Sequence, residues 1–155
     1  MTNLTTPDLT GSPKTFLNSS EPRCLIFEDD IEPARDSKDY YSIQIKKFLM
    51  MVPDDFDLIY LGRCYDRCKQ DKIIGPGLVQ CFFPLCRHSY IVSRKGAQKI
   101  IMNTIPLKIQ GDNTIANLIS QRKIKAYAAK PAIFFQNRKK LGSFLNNNDT
   151  LRECW

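Results

Sequence analysis

Several features common in proteins of this size are scarce or missing here. No stretch of the 155 residues approaches the roughly 20 uninterrupted apolar residues that span a bilayer, which excludes a transmembrane helix. Residues 1–20 have neither a basic start nor an apolar core, so no signal peptide is visible and the chain reads as soluble and cytosolic. The six cysteines include no Cys-x2-Cys pair, the element on which most structural zinc sites are built. Basic and aromatic residues do not interleave as in RNA-binding modules, and no helix-turn-helix or zinc-finger spacing occurs, so no nucleic-acid partner is expected. No internal repeat is present. Acidic groups run short in the second half: residues 78–155 carry 13 basic and 3 acidic groups, against 10 and 13 in residues 1–77. That asymmetry, within a net charge of +7, suits an anionic partner such as a nucleotide diphosphate, or else a solvated basic surface.

What is present describes a folded chain. Hydrophobic residues make up 43% and charged residues 25%, close to globular averages, and the length suits one domain. Residues 1–22, rich in Thr, Ser, Asn and Pro, are expected to be a flexible leader. Cys24-Leu25-Ile26-Phe27 then stops at Glu28-Asp29-Asp30, as a buried parallel strand stops at the carboxyl edge of a sheet. Tyr41, Ile45, Phe48 and Val52 recur at helical spacing up to Pro53. Phe56 to Leu61 forms a second apolar run, ended by Gly62, and the three segments together read as a βαβ unit.

A loop holding Cys64, Cys68, Gly75-Pro76-Gly77, Cys81 and Cys86 follows, and then a strand at Ser89–Val92. Ser93 and Asp112 each sit where they can cap a helix, the first reaching about Asn103 and the second Gln121. Short strands are expected at Ile124–Tyr127 and Ala132–Phe135, ahead of a basic and Asn-rich tail over residues 138–155. The class is α/β with a small, mostly parallel sheet and flanking helices.

Chemistry concentrates at Glu28-Asp29-Asp30. Three adjacent carboxylates repel one another, so a strand end that gathers them calls for a cation or hydrogen-bond donors. Hard oxygen ligands suit Mg²⁺ or Mn²⁺, which commonly bridge to nucleotide phosphates, whereas a solvated turn needs no ligand. His88, the sole histidine, has the chemistry of a metal ligand, a phosphate contact, an acid/base group or a hydrogen-bonded structural residue. Asp112 suits a general base for a hydroxyl as well as it suits a helix cap. The cysteines clustered around one loop allow disulfides in an oxidising compartment, and sequons at Asn3, Asn18 and Asn148 point weakly the same way.

Five blocks, in order, resemble glycosyltransferase family 25, which includes bacterial lipooligosaccharide galactosyltransferases and collagen β-galactosyltransferases. They are Cys24 to Ile31, Asp55 to Gly62, His88 to Ile100, Pro106 to Asp112 and Pro131 to Gln136, and they span residues 23–137. The resemblance implies a GT-A-like (Rossmann-like) fold and transfer of a sugar, galactose foremost, from a UDP-sugar to an acceptor hydroxyl. It implies Mn²⁺ (or Mg²⁺) held by Asp29 and Asp30, with Glu28 in support at the donor site. It makes His88 and Asp112 the catalytic candidates, and the acceptor a glycan, a lipid-linked sugar or a protein. Family members carry a further segment ahead of the Glu-Asp-Asp strand. Residues 1–22 do not resemble it, so the match covers the C-terminal part of a catalytic domain. A truncated noncatalytic binding module, or a partner chain supplying the N-terminal half, follows as the alternative. The family works both in the cytosol and in the secretory pathway (ER/Golgi).

Overall fold

In the computed structural model, which describes residues 15–34, 38–64, 67–106 and 110–137, the run ahead of Glu28 forms strand β1 (Arg23–Phe27). The chain continues through β2 (Ile31–Pro33), helix α1 (Lys38–Met51) and β3 (Leu58–Cys64). A single 3-10 turn (Cys68–Gln70) leads to the hairpin β4 (Lys72–Gly75) and β5 (Leu78–Gln80). The long strand β6 (Leu85–Ser93), helices α2 (Arg94–Thr104) and α3 (Gly111–Ser120), and strands β7 (Ala126–Ala129) and β8 (Phe134–Gln136) complete it.

Six strands form one mixed sheet in the order β1-β6-β3-β7-β5-β4, and β2 pairs with β8 in a separate ribbon. The α/β class stands, but the expected mostly parallel sheet does not. Among the described residues, only the neighbouring pair β3–β7 is parallel; β1–β6, β3–β6, β4–β5 and β5–β7 are antiparallel. The βαβ unit is present in opened form. β1 and β3 run the same way, yet β6 lies between them and opposes both. An uninterrupted apolar run carries nothing about a strand's direction. β1 is also an edge strand, with Leu25 43% exposed, and not the buried strand its composition suggested.

Alternation along β3 feeds two cores. Leu58 and Tyr60 join Ile26, Tyr90 and Val92 beneath α2 and α3, where Ala97, Ile100, Ile115 and Ile119 are buried. Ile59 and Leu61 join Ile91 and Tyr127 beneath α1, which contributes Phe48 with Tyr41 and Ile45 at its margin and is followed by buried Val52. The helical stripe read from the sequence is therefore the buried face of α1. Leu58, Ile59 and Leu61 are fully buried, and each contributes about 1.5–3 kcal/mol through transfer from water.

The start of β3 is fixed to α2 and β7 by Asp57. Its carboxylate accepts from Lys99 Nζ at 2.5 Å and from the Lys125 backbone N–H at 2.8 Å. α2 can approach because position 96 is glycine: a Cβ there would lie 2.1 Å from the Asp57 carbonyl oxygen. Ser93 caps α2 as expected, its Oγ accepting from Gly96 N–H at 3.0 Å. The loop expected over residues 64–86 instead contains the β4–β5 hairpin, and β3 runs through Gly62 to Cys64.

Part of the expected leader is docked. Residues 15–17 form a helical turn that buries Phe16, and the Arg94 guanidinium lies over that ring at 5.2 Å. Arg94 also donates to the carbonyls of Leu17 (3.0 Å), Ser19 (2.5 Å) and Glu21 (2.8 Å). Residues 1–14, the tail over residues 138–155 and the sequons at Asn3 and Asn148 lie outside the described residues, while Asn18 is exposed. Among the described residues no helix is long and apolar enough to cross a membrane.

Candidate functional site

Glu28 begins the turn at the carboxyl end of β1, where its N–H donates to the His88 carbonyl at 2.9 Å. The chain then turns through Asp29 and Asp30 into β2, whose first residue Ile31 is in register with Gln136 at the end of β8. This register brings together groups far apart in sequence. Gln136 Nε2 donates to Glu28 Oε2 at 3.0 Å and to Asp30 Oδ2 at 3.1 Å, so two carboxylates converge on one nitrogen. The Asp30 carbonyl accepts from Asn137 N–H at 2.7 Å, and the Asn137 side-chain amide donates to Glu32. Asp29, the middle carboxylate, is exposed.

Asp112 approaches the same place from α3. It lies within the first turn of the helix and is not its cap; Gln110 holds the cap position, without a capping side-chain hydrogen bond. The Asp112 carboxylate is engaged by Arg87 of β6, whose Nε donates to Oδ1 at 2.6 Å. Arg87 also lies 5.9 Å from the centre of the Tyr90 ring. The two halves meet electrostatically at Glu28. Burial raises the pKa of its carboxyl, the charges of Asp30, Asp112 and Asp29 push the same way, and Arg87 opposes them. Tyr60, fully buried, is raised well above the ordinary phenol value, first by burial and then with Arg87 opposing.

His88 is not part of this gathering. It is 1% exposed, and its Nε2 lies 3.3 Å from the Phe134 carbonyl oxygen, which can only accept a proton. Gly62 makes room for the ring: a Cβ there would sit 2.3 Å from His88 Nε2 and 2.3 Å from the Phe134 oxygen. Glu28, Asp30 and Asp112 are thus brought together, Asp29 stands at the surface beside them, and His88 braces β6 against β8.

Among the described residues, three cysteines are in disulfides. Cys64 and Cys86 form a disulfide, Cα to Cα 5.4 Å, between the end of β3 and the start of β6. Cys68 is disulfide-bonded as well, while Cys24 and Cys81 are outside disulfides and Cys81 Sγ accepts from Arg63 at 3.6 Å. Cys86 adopts φ 57°, a left-handed conformation that costs a non-glycine residue about 1–2 kcal/mol. Cys64 Sγ lies 3.8 Å from Gln136 Oε1, and as a disulfide sulfur it has no proton to donate.

Sequence reasoning left out two members of the site, Gln136 and Arg87. Gln136 stands in the closing strand of the resemblance, and its only local signal is a polar Gln-Asn pair after two phenylalanines. Arg87 stands next to His88 in the sequence and carries no local signal of its own. No protein-family model matches the chain, and no curated protein matches it in sequence.

The donor set bears on a divalent metal in two ways. Among the described residues, no group of three His, Cys, Asp or Glu side chains is arranged to hold one. Glu28 and Asp30 nevertheless offer two hard carboxylates, each already accepting from Gln136 Nε2, so a metal would use their remaining lone pairs and the adjacent Asp29. Mg²⁺ and Mn²⁺ accept such a pair and complete their shell with water and phosphate oxygens. The residues fit a metal that arrives with its phosphate ligand, not a metal caged by protein alone.

Proposed function

We propose that the chain is a family 25-like glycosyltransferase domain that takes a UDP-sugar, with galactose as the leading donor, together with Mn²⁺ or Mg²⁺. The single observation that carries this reading is the convergence of Glu28 and Asp30 on Gln136 at the end of β1, beside the Arg87–Asp112 pair. Supporting it are the five collinear blocks of resemblance, and we read the sheet as the C-terminal part of a GT-A-like one. Asp30 and Asp29 would hold the metal, with Glu28 as the buried partner oriented by Gln136. When bound, the metal would neutralise charge developing on the departing diphosphate.

The chain's own residues set the remaining steps. Arg87 supplies a fixed positive charge next to the acids, and Asp112 is the carboxylate placed to orient an acceptor hydroxyl of a glycan, lipid-linked sugar or protein. The Asp112 carboxylate is occupied by Arg87 Nε, so that bond has to loosen before Asp112 can engage an acceptor hydroxyl. This engagement of Asp112, together with the burial of His88, also favours a second reading, in which the domain binds a nucleotide sugar without transferring it. In either reading a partner chain can supply the further donor contacts.

Calorimetric titration of UDP and UDP-galactose, with and without Mn²⁺, tests the donor site. Binding that requires Mn²⁺ and disappears in Asp30→Ala is expected. A folded protein indifferent to metal and nucleotide would sink both readings for this chain alone. Turnover with an acceptor panel then separates transfer from binding, and Asp112→Asn is expected to lower turnover while leaving UDP affinity in place.

A further inference from the structure

We propose that the Cys64–Cys86 disulfide positions the carboxylate site, so that thiol reduction disassembles the site while the sheet stays folded. The geometric claim stands alone, and its effect on ligand binding rests on the donor-site reading above.

Ladder pairing is irregular at this corner of the molecule. β3 and β6 pair regularly from Leu58↔Val92 to Tyr60↔Tyr90, then lose register between Tyr60 and Gly62 and again between Gly62 and Cys64. Cys64 ends up opposite Leu85, and within the irregular stretch Cys86 sits at φ 57°. A non-glycine residue keeps that conformation only when its surroundings impose it, and the bond to Cys64 is a constraint of that kind. The disulfide reaches the site from both of its ends. On one side, Cys64 Sγ packs 3.8 Å from Gln136 Oε1, and the Nε2 of the same amide holds Glu28 and Asp30. On the other, Cys86 is followed by Arg87, which holds Asp112, and by His88, which reaches the β8 backbone.

The rest of the sheet is independent of this bond. β1 and β6 pair without interruption from Arg23↔Ser93 to Phe27↔Ser89, and α2 is fixed to β3 through Asp57. Reduction by a dithiol moves two electrons and two protons onto the sulfurs. The S–S bond breaks, Cys64 and Cys86 become thiols, and the reductant closes to its own cyclic disulfide. Freed from Cys64, the Cys86 backbone can leave the left-handed region and carry Arg87 with it, and Gln136 loses a wall of its pocket. The site would then be assembled only where disulfides persist, in an oxidising compartment.

Hydrogen exchange read by mass spectrometry tests this on the whole chain, before and after dithiothreitol. Because the reagent also reaches Cys68, Cys64→Ser/Cys86→Ser is measured in parallel. Exchange is expected to quicken about tenfold over residues 29–32, 85–88 and 134–137 in both reduced protein and variant, with 24–27, 90–92 and α2 unchanged. Mn²⁺-dependent UDP affinity is expected to fall about tenfold in the same two samples. Unchanged exchange in those three segments would overturn the proposal, and so would a uniform rise across the molecule, which would make the bond a general staple. If the variant fails to fold, the reduced wild-type protein decides. If the oxidised protein binds no UDP at all, the donor-site reading fails and the exchange pattern alone judges the positioning claim.

Discussion

An alanine at position 62 would place a methyl group 2.3 Å from His88 Nε2 and 2.3 Å from the Phe134 carbonyl oxygen. Ordinary contacts begin near 3.4 Å, so each neighbour has to retreat by about 1 Å. Neither can do so cheaply: the His88 ring is buried, and the oxygen belongs to the backbone of β8, which also carries Gln136. Overpacking of this kind costs about 1–3 kcal/mol, and loosening the bond between His88 and the Phe134 carbonyl adds about 1 kcal/mol. At about 2–4 °C per kcal/mol for a chain of this length, Gly62→Ala should lower the melting temperature by roughly 5–15 °C. Gly75→Ala is the matched control. No atom lies within 4 Å of its added Cβ, and its effect should stay within about 0.5 kcal/mol. Scanning calorimetry of the two variants, with Gly62→Ala/His88→Ala as a third, checks the source of the strain. Measured against His88→Ala alone, Gly62→Ala should cost about 1 kcal/mol less than it does in wild type, because the imidazole clash is gone while the Phe134 clash remains. If Gly62→Ala melts together with Gly75→Ala, β3, His88 and β8 are not in the contact described and the account of this corner is wrong.

Glu28 gives a prediction with a definite sign. Burial, followed by the charges of Asp30, Asp112 and Asp29, raises its pKa in the folded chain, so the folded state holds the proton to higher pH than the unfolded state does. The resulting stability is fully present below the unfolded glutamate value and is lost as pH rises through the folded one. Glu28→Gln should therefore gain on wild type in urea midpoint as pH is raised from 4 to 7 in the presence of a chelator. A deficit that stays constant across that range would contradict it. Arg94→Ala removes three guanidinium bonds to residues 17–21 and the cover over Phe16, and should cost about 1–3 kcal/mol. Limited proteolysis should then cut within residues 15–22 at least about tenfold faster than in wild type, and an unchanged rate would show that the segment is held by something else.

Features written within one turn or one strand were legible in the sequence. Tyr41, Ile45, Phe48 and Val52 follow a spacing that only a helix places on one side, and Ser93 needs nothing beyond Gly96 to cap α2. The position of Glu28-Asp29-Asp30 at a strand end was legible for the same reason. Relations between distant segments were not. Strand β6 reads as apolar whichever way it runs, so neither its reversal nor its place between β1 and β3 has a local signature. Asp112 in the first turn of a helix looks like a cap until Arg87, 25 residues earlier, is seen to hold it. Gln136 and Glu28 are 108 residues apart, and Arg94 reaches back 77 residues to secure a segment whose composition suggests disorder. These groups reveal their roles only once the sheet has set their register.

The insertion of β6 between β1 and β3 governs how the chain assembles as it is synthesised. Only β4 and β5 find a partner across a tight turn; β1 and β3 have none until β6 exists. At about 5–20 residues per second, the 66 residues from Phe27 to Ser93 take about 3–13 s to emerge. Once made, the apolar run Leu58–Leu61 waits for β6 with no antiparallel partner to join, and Cys64 waits for Cys86. A nascent chain stalled before Leu85 should be a chaperone client, and one extended past Ser93 should begin to escape. Folding here waits on a single late strand, and the carboxylate site can close only later still, when Gln136 arrives.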